Sequence, residues 1–117
     1  MAFHLTQLLT GHGCFGTYLY RINKVASPLC EHCEEDLEDS AKHTLRECRT
    51  WQTEREALQT AVGADLSLGT VIREICRDHS AWTAMTLFAK TVMLAKEESE
   101  RRRQDQERRF DDSTHSE

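Results

Sequence analysis

Apolar positions recur at helical spacing almost from the start of the chain. Phe3, Leu5, Leu8 and Leu9 predict a short helix that Gly11 and Gly13 interrupt, and Phe15, Tyr18, Leu19 and Ile22 predict a second. His12, between the two glycines, reads as a turn residue bonded to nearby backbone. Asn23 to Leu29 is polar and loop-like, stiffened by the single proline, Pro28. Asp39 or Ser40 is placed to cap a short helix carrying His43. The next helix is predicted over about Thr50 to Val62, with Trp51, Leu58 and Val62 inward, Thr53-x-x-Glu56 as an alternative capping box and Gly63 as its stop. Val71, Ile72, Ile75 and Cys76 mark the inward face of a further helix, and Asp78-His79-Ser80 breaks its period.

The last pattern is the longest. Trp82, Met85, Phe88, Ala89, Val92, Met93 and Lys96 keep a three-four spacing, so packing is predicted up to about Ala95. From Lys96 to Arg109 the stripe gives way to mixed charge, with Glu97/Arg101 and Glu98/Arg102 as supporting pairs one turn apart on an exposed extension. The expected organisation is short helices and a linker over 1–29, a Cys/His motif over 30–48, helices of the same domain over 49–78, a long helix over 79–109 and a disordered tail over 110–117. The fold class is mostly α.

Composition gives a staple a place. Of 117 residues only 38% are apolar and 30% are charged, which leaves a modest core for the length. The stretch from Cys30 to Cys48 supplies a candidate, because Cys30-x2-Cys33 is the tight turn that aims two thiolates at one point and His43-x4-Cys48 follows at a distance suited to closing a tetrahedron. The residues therefore predict one structural Cys3His zinc site made by Cys30, Cys33, His43 and Cys48. His32 lies inside the first turn and is the alternative to His43, pointing instead to solvent. The bland alternative is a set of scattered, reduced cysteines. A redox pair is disfavoured, since no strand pattern surrounds Cys30. Four protein ligands leave no open position for an activated water, so the site reads as structural and no catalytic residue is assigned.

An odd number of cysteines in a zinc-like pattern argues for a reducing compartment, nucleus or cytoplasm, and for an intracellular protein. Cys14 and Cys76, left over, read as small buried hydrophobes. The N-terminal residues lack a basic, then apolar, secretory pattern, and no stretch has the length of a membrane span. Formal net charge is −5, which counts against strong autonomous binding to nucleic acid. Acidic residues from Glu34 to Asp39 read as a solvated loop that repels phosphate. The basic residues near the metal are Lys42, Arg46, Arg49 and Arg55.

Taken together, Leu9-Thr-Gly-His-Gly13, Tyr18-Leu-Tyr-Arg21 and the Cys30/Cys33/His43/Cys48 array followed by Trp51 resemble a known family. The chain is similar, over about residues 3 to 100, to the C-terminal region of the Pol-like polyprotein of non-LTR (LINE-like) retrotransposons, in particular type-1 retrotransposable elements of insect ribosomal DNA. The resemblance implies a segment downstream of a reverse transcriptase, in a polyprotein that also carries an endonuclease, with the four family metal positions falling on Cys30, Cys33, His43 and Cys48. It further implies RNA or DNA as partner, with the upstream polymerase domain as neighbour. Phosphate contacts are then expected from Arg21, Lys24, Lys42, Arg46 and Arg49, with Tyr18, Tyr20 or Trp51 available for stacking where exposed. A proline often follows the last cysteine in that family; here Arg49 does. The rival expectation is a zinc-stapled scaffold or protein-interaction module that binds no nucleic acid.

Overall fold

Every helix the apolar pattern predicts is present. The structure, a computed structural model, describes residues 3–33 and 35–115, and of the last helix's side chains those up to Arg109. In chain order the α-helices are α1 (Phe3–Thr10), α2 (Gly16–Arg21), α3 (Gln52–Val62), α4 (Leu68–Arg77) and α5 (His79–His115). Between α2 and α3 lie a π-helical turn, His43–Glu47, and a 3-10 turn, Arg49–Trp51.

The longest helix organises the rest, with α1, α3 and α4 all packing on it. Its 37 residues rise about 1.5 Å each, or roughly 55 Å, close to the longest dimension of the molecule, 60 Å. Ala81, Met85, Phe88, Ala89, Val92 and Met93 form its buried stripe. Leu5 and Leu8 of α1, Leu58 and Val62 of α3, and Val71 of α4 close over it, joined by Phe15, Leu45, Trp51 and Leu66. The apolar faces of α1, α3 and α4 are thus buried against α5, which is what amphipathic segments of this length need to persist in water.

Several boundaries and faces differ from expectation. The stripe does not stop at Ala95: Lys96 is 2% exposed. Helix α5 runs to His115, so the boundary expected at Arg109 falls inside it, while 116 and 117 lie outside the described residues. Trp82, Ile72 and Cys76, expected inward, are exposed, because helical spacing marks a stripe without showing how wide the covering surface is. Arg102 pairs with Glu98 as expected, but Arg101 also takes Glu98, since Glu97 is held by His4 at 3.1 Å. Helix α3 begins two residues later than predicted, after the 3-10 turn, and no side chain caps it, so the Thr53/Glu56 capping box does not form. At its far end Gly63 adopts φ 111°, a left-handed conformation open to glycine, and stops the helix as expected.

Candidate metal centre

The Cys/His segment is a small knuckle set against α5. Pro28 and Leu29 lead into it, Leu29 bridges Glu38 across the base, and the Cys30 N–H donates to the Leu37 carbonyl at 2.7 Å. That pairing folds the chain back at Asp36, whose φ of 55° is one that aspartate tolerates in a turn. The backbone N–H groups of His32 and Cys33 face the Cys30 sulfur. Ser40 then starts the next helical segment by accepting the His43 N–H at 3.1 Å, so of the two residues expected to cap it, Ser40 does. The π turn carries His43 inward and ends at Cys48, whose N–H returns to the His43 carbonyl at 2.7 Å.

These local structures bring Cys30, Cys33, His43 and Cys48 together, all four buried, with one ligand atom from each and every pair within 4.8 Å. Two separations test the fit. Around a tetrahedral ion with bonds of about 2.3 Å to sulfur and about 2.0–2.1 Å to nitrogen, two sulfurs lie about 3.8 Å apart and a sulfur and nitrogen about 3.6 Å. Cys30 Sγ and Cys48 Sγ are 3.9 Å apart, far beyond a disulfide, and Cys33 Sγ lies 3.4 Å from His43 Nε2. The donor set, its burial and these separations fit a four-coordinate metal ion. His43 turns Nε2 to the cysteines and Nδ1 to the side of Glu47, whose carboxylate lies 3.7 Å away, beyond hydrogen-bond reach.

Burial pushes the Cys30 thiol up to about 12, partly offset by the two backbone N–H groups at its sulfur. A cation at the centre of the quartet would supply the missing compensation and displace the proton. His32, the alternative ligand, is outside the quartet. Its ring lies 5.4 Å from that of Trp51, its carbonyl accepts from the Thr50 hydroxyl, and it is half-buried rather than free in solvent.

Two buried charged residues secure the knuckle, and both were read from the sequence as surface groups. Asp39 belongs to the acidic run, yet it is 5% exposed. Its carboxylate accepts from the Gly16 N–H (2.9 Å), the Thr44 hydroxyl (3.3 Å) and the Lys96 ammonium (2.6 Å). Its backbone pairs with Pro28 and Thr17. Asp39 thereby ties α2, the knuckle base and α5 at one point. The signal for it was Lys96, an inward lysine on an apolar stripe, which requires a buried acid. Arg55, expected among the surface bases near the metal, is 4% exposed. Its guanidinium donates to the carbonyls of Leu45 (2.9 Å), Thr44 (3.1 Å) and Cys48 (2.6 Å), closing the open end of the π turn.

The predicted phosphate-contacting residues are spread over the surface. Arg21, Lys24, Lys42, Arg46 and Arg49 are all exposed. Arg49 is engaged by Glu35 at 2.6 Å, so the acidic loop neutralises the base that follows the last cysteine. Among the described residues no acid forms an ion pair with Arg21, Lys24, Lys42 or Arg46, and Arg21 lies 5.2 Å over the Tyr18 ring. Tyr20 is exposed, Tyr18 half-buried and Trp51 buried. No helix among the described residues is long and apolar enough to cross a membrane. Comparison of the chain with protein-family models, curated proteins and solved structures found no match.

Proposed function

We propose that this chain is a zinc-stapled, nucleic-acid-positioning segment of a retrotransposon polyprotein, working beside an upstream polymerase to hold template RNA or target DNA during target-primed reverse transcription. The observation that carries the reading is the closed, buried Cys3His quartet. Cys30, Cys33, His43 and Cys48 are soft and borderline donors gathered within 4.8 Å, two of their separations near tetrahedral values, which suits zinc, and with four protein ligands the ion would serve the fold. Zinc would fix the knuckle, and the knuckle in turn fixes Lys42 and Arg46, one helical turn apart and exposed on the segment that carries His43. With Arg21 and Lys24 they are exposed bases that form no ion pair among the described residues; Arg49 is the weakest candidate because Glu35 holds it. This role is positioning. Polymerase and endonuclease chemistry would belong to other parts of the polyprotein.

A second reading, a zinc-stapled protein-interaction module, draws support from the outer face of α5, where Leu87 and Leu94 are 64% and 45% exposed two helical turns apart. Net charge of −5 also favours it. Metal analysis of purified protein beside Cys48→Ser, followed by salt-titrated binding to RNA and single-stranded DNA, separates the two. The first reading expects one zinc per chain, absent from the variant, and affinity that falls steeply with salt. A metal-loaded protein that binds neither nucleic acid at low salt supports the module instead.

A further inference from the structure

One cleft lies beside the metal centre without belonging to it. About 290 Å³ in volume, it opens between the loop that approaches the knuckle and α5, just under the range for small-ligand sites, about 300–1,000 Å³. Leu19, Val25 and Leu29 give it an apolar wall, and Lys96, Glu100 and Arg103 line it from α5. It takes one planar ring, with little room for more.

The polar groups say what kind of ring. Lys96 is buried, yet among the described residues its ammonium has a single hydrogen-bond acceptor, Asp39 Oδ1, for three N–H donors, the rest facing the Phe15 and Trp51 rings at 5.4 and 5.9 Å. Its ammonium is thus held by Asp39 and the two rings and is left out of the recognition of a ligand. Among the lining groups Glu31 offers a carboxylate acceptor, and Arg103 presents a planar guanidinium held flat by Glu100 and Glu107. Both cations of the cleft are already paired with acids, and Glu31 adds a further negative charge, so an anion is poorly received. A neutral, flat molecule with carbonyl acceptors and amino donors on its edges is well received. Nucleobases have that chemistry, and unstacked bases of single strands are commonly held against apolar and guanidinium surfaces.

The wall itself supplies the connection to a strand. Lys24 directly precedes Val25 in the loop that walls the cleft and is exposed, whereas Arg21 lines a separate surface pocket with Thr17 and Tyr18. We propose that the cleft receives one unpaired nucleobase of a single strand while Lys24, at the edge of the wall, holds a flanking phosphate; the inference rests on the nucleic-acid reading above and names its recognition site.

The test compares a short single-stranded oligonucleotide with an abasic oligomer of the same length, by fluorescence anisotropy with the metal-loaded chain. The wild type is expected to bind the base-bearing strand roughly tenfold more tightly, the effect of one held base. Val25→Trp, which fills the cleft from its loop wall, is expected to bring that ratio to about one while weak binding of the backbone persists. Metal content and circular dichroism confirm that the variant is folded, and chemical-shift changes at the Leu19 and Val25 methyl groups in the wild type give an independent readout. Equal affinity of the wild type for both strands, or methyl groups that do not respond, overturns the cleft and leaves the phosphate-contacting role standing. Absence of binding to either strand overturns the nucleic-acid role and the cleft with it.

Discussion

The ammonium of Lys96 lies 2.6 Å from Oδ1 of Asp39, with 1% and 7% of the two side chains exposed. They are 57 positions apart in sequence. One belongs to the base of the metal knuckle and the other to the helix on which the whole molecule packs. Two charges taken out of water cost more than their attraction returns unless other groups complete the geometry. Here Gly16 and Thr44 complete the carboxylate, and the Phe15 and Trp51 rings face the ammonium. The pair therefore sets where the knuckle sits on α5 more than it adds net stability.

Removing one partner strands the other. Lys96→Met and Asp39→Asn should each destabilise the metal-loaded protein by about 3–5 kcal/mol, measured by urea unfolding. The double variant D39N/K96M should cost less than the sum of the two, with a coupling above about 1 kcal/mol. Strict additivity would show that the two groups do not act as a unit.

How much of this was legible in the chain depends on how local each feature is. The metal quartet lies in one short stretch, so spacing alone pointed to Cys30, Cys33, His43 and Cys48, and the structure brings their ligand atoms together. The helices were legible for the same reason, since periodicity is a local property. Asp39 was not, because in sequence it is one more acid after Glu34, Glu35, Asp36 and Glu38; its burial depends on a lysine on a distant helix. Arg55 was misread likewise. Its partners are carbonyls left open by a π turn, and a sequence does not display backbone geometry of that kind. Ile72, Cys76 and Trp82 carried the right period but lie beyond the edge of the covered surface.

Arg55 gives a prediction with a built-in control. Arg55→Ala removes the donors to three carbonyls around Cys48 and should cost about 3 kcal/mol in thermal or urea unfolding, with faster loss of metal to a chelator. Arg55→Lys keeps the charge but not the planar fork, and should recover less than half of that loss. Full recovery by lysine would mean that charge, and not the carbonyl clamp, is what matters.

Gly16 is required by closeness. A Cβ there would sit 2.7 Å from the Pro28 carbonyl oxygen and 2.9 Å from Asp39 Cβ, and backbone cannot yield as a flexible side chain can. Gly16→Ala is expected to cost about 1–3 kcal/mol despite the better helix propensity of alanine. Gly69→Ala, also in a helix but with open space around it, should be neutral or stabilising. Unfolding midpoints of the two variants, compared side by side, check the contrast.

The two cysteines outside the quartet should differ in reactivity. Cys76 is exposed, whereas Cys14 is half-buried, and burial followed by the nearby carboxylates of Glu100 and Glu97 raises its thiol above the usual value, against a smaller opposing effect of Lys96. The thiolate is the reacting form, so a raised thiol holds fewer thiolates at a given pH and reacts more slowly. In the metal-loaded protein, iodoacetamide at about pH 8, below the ordinary thiol range of about 8.5, should modify Cys76 first. Modification of Cys14 should keep accelerating as pH rises well past that range, and Glu100→Gln should bring the acceleration to lower pH by removing one negative charge. Peptide mass spectrometry over a pH series reads both rates. Equal rates at the two sites, or no response of Cys14 to Glu100→Gln, would remove the electrostatic part of this account and leave only access to distinguish the two thiols.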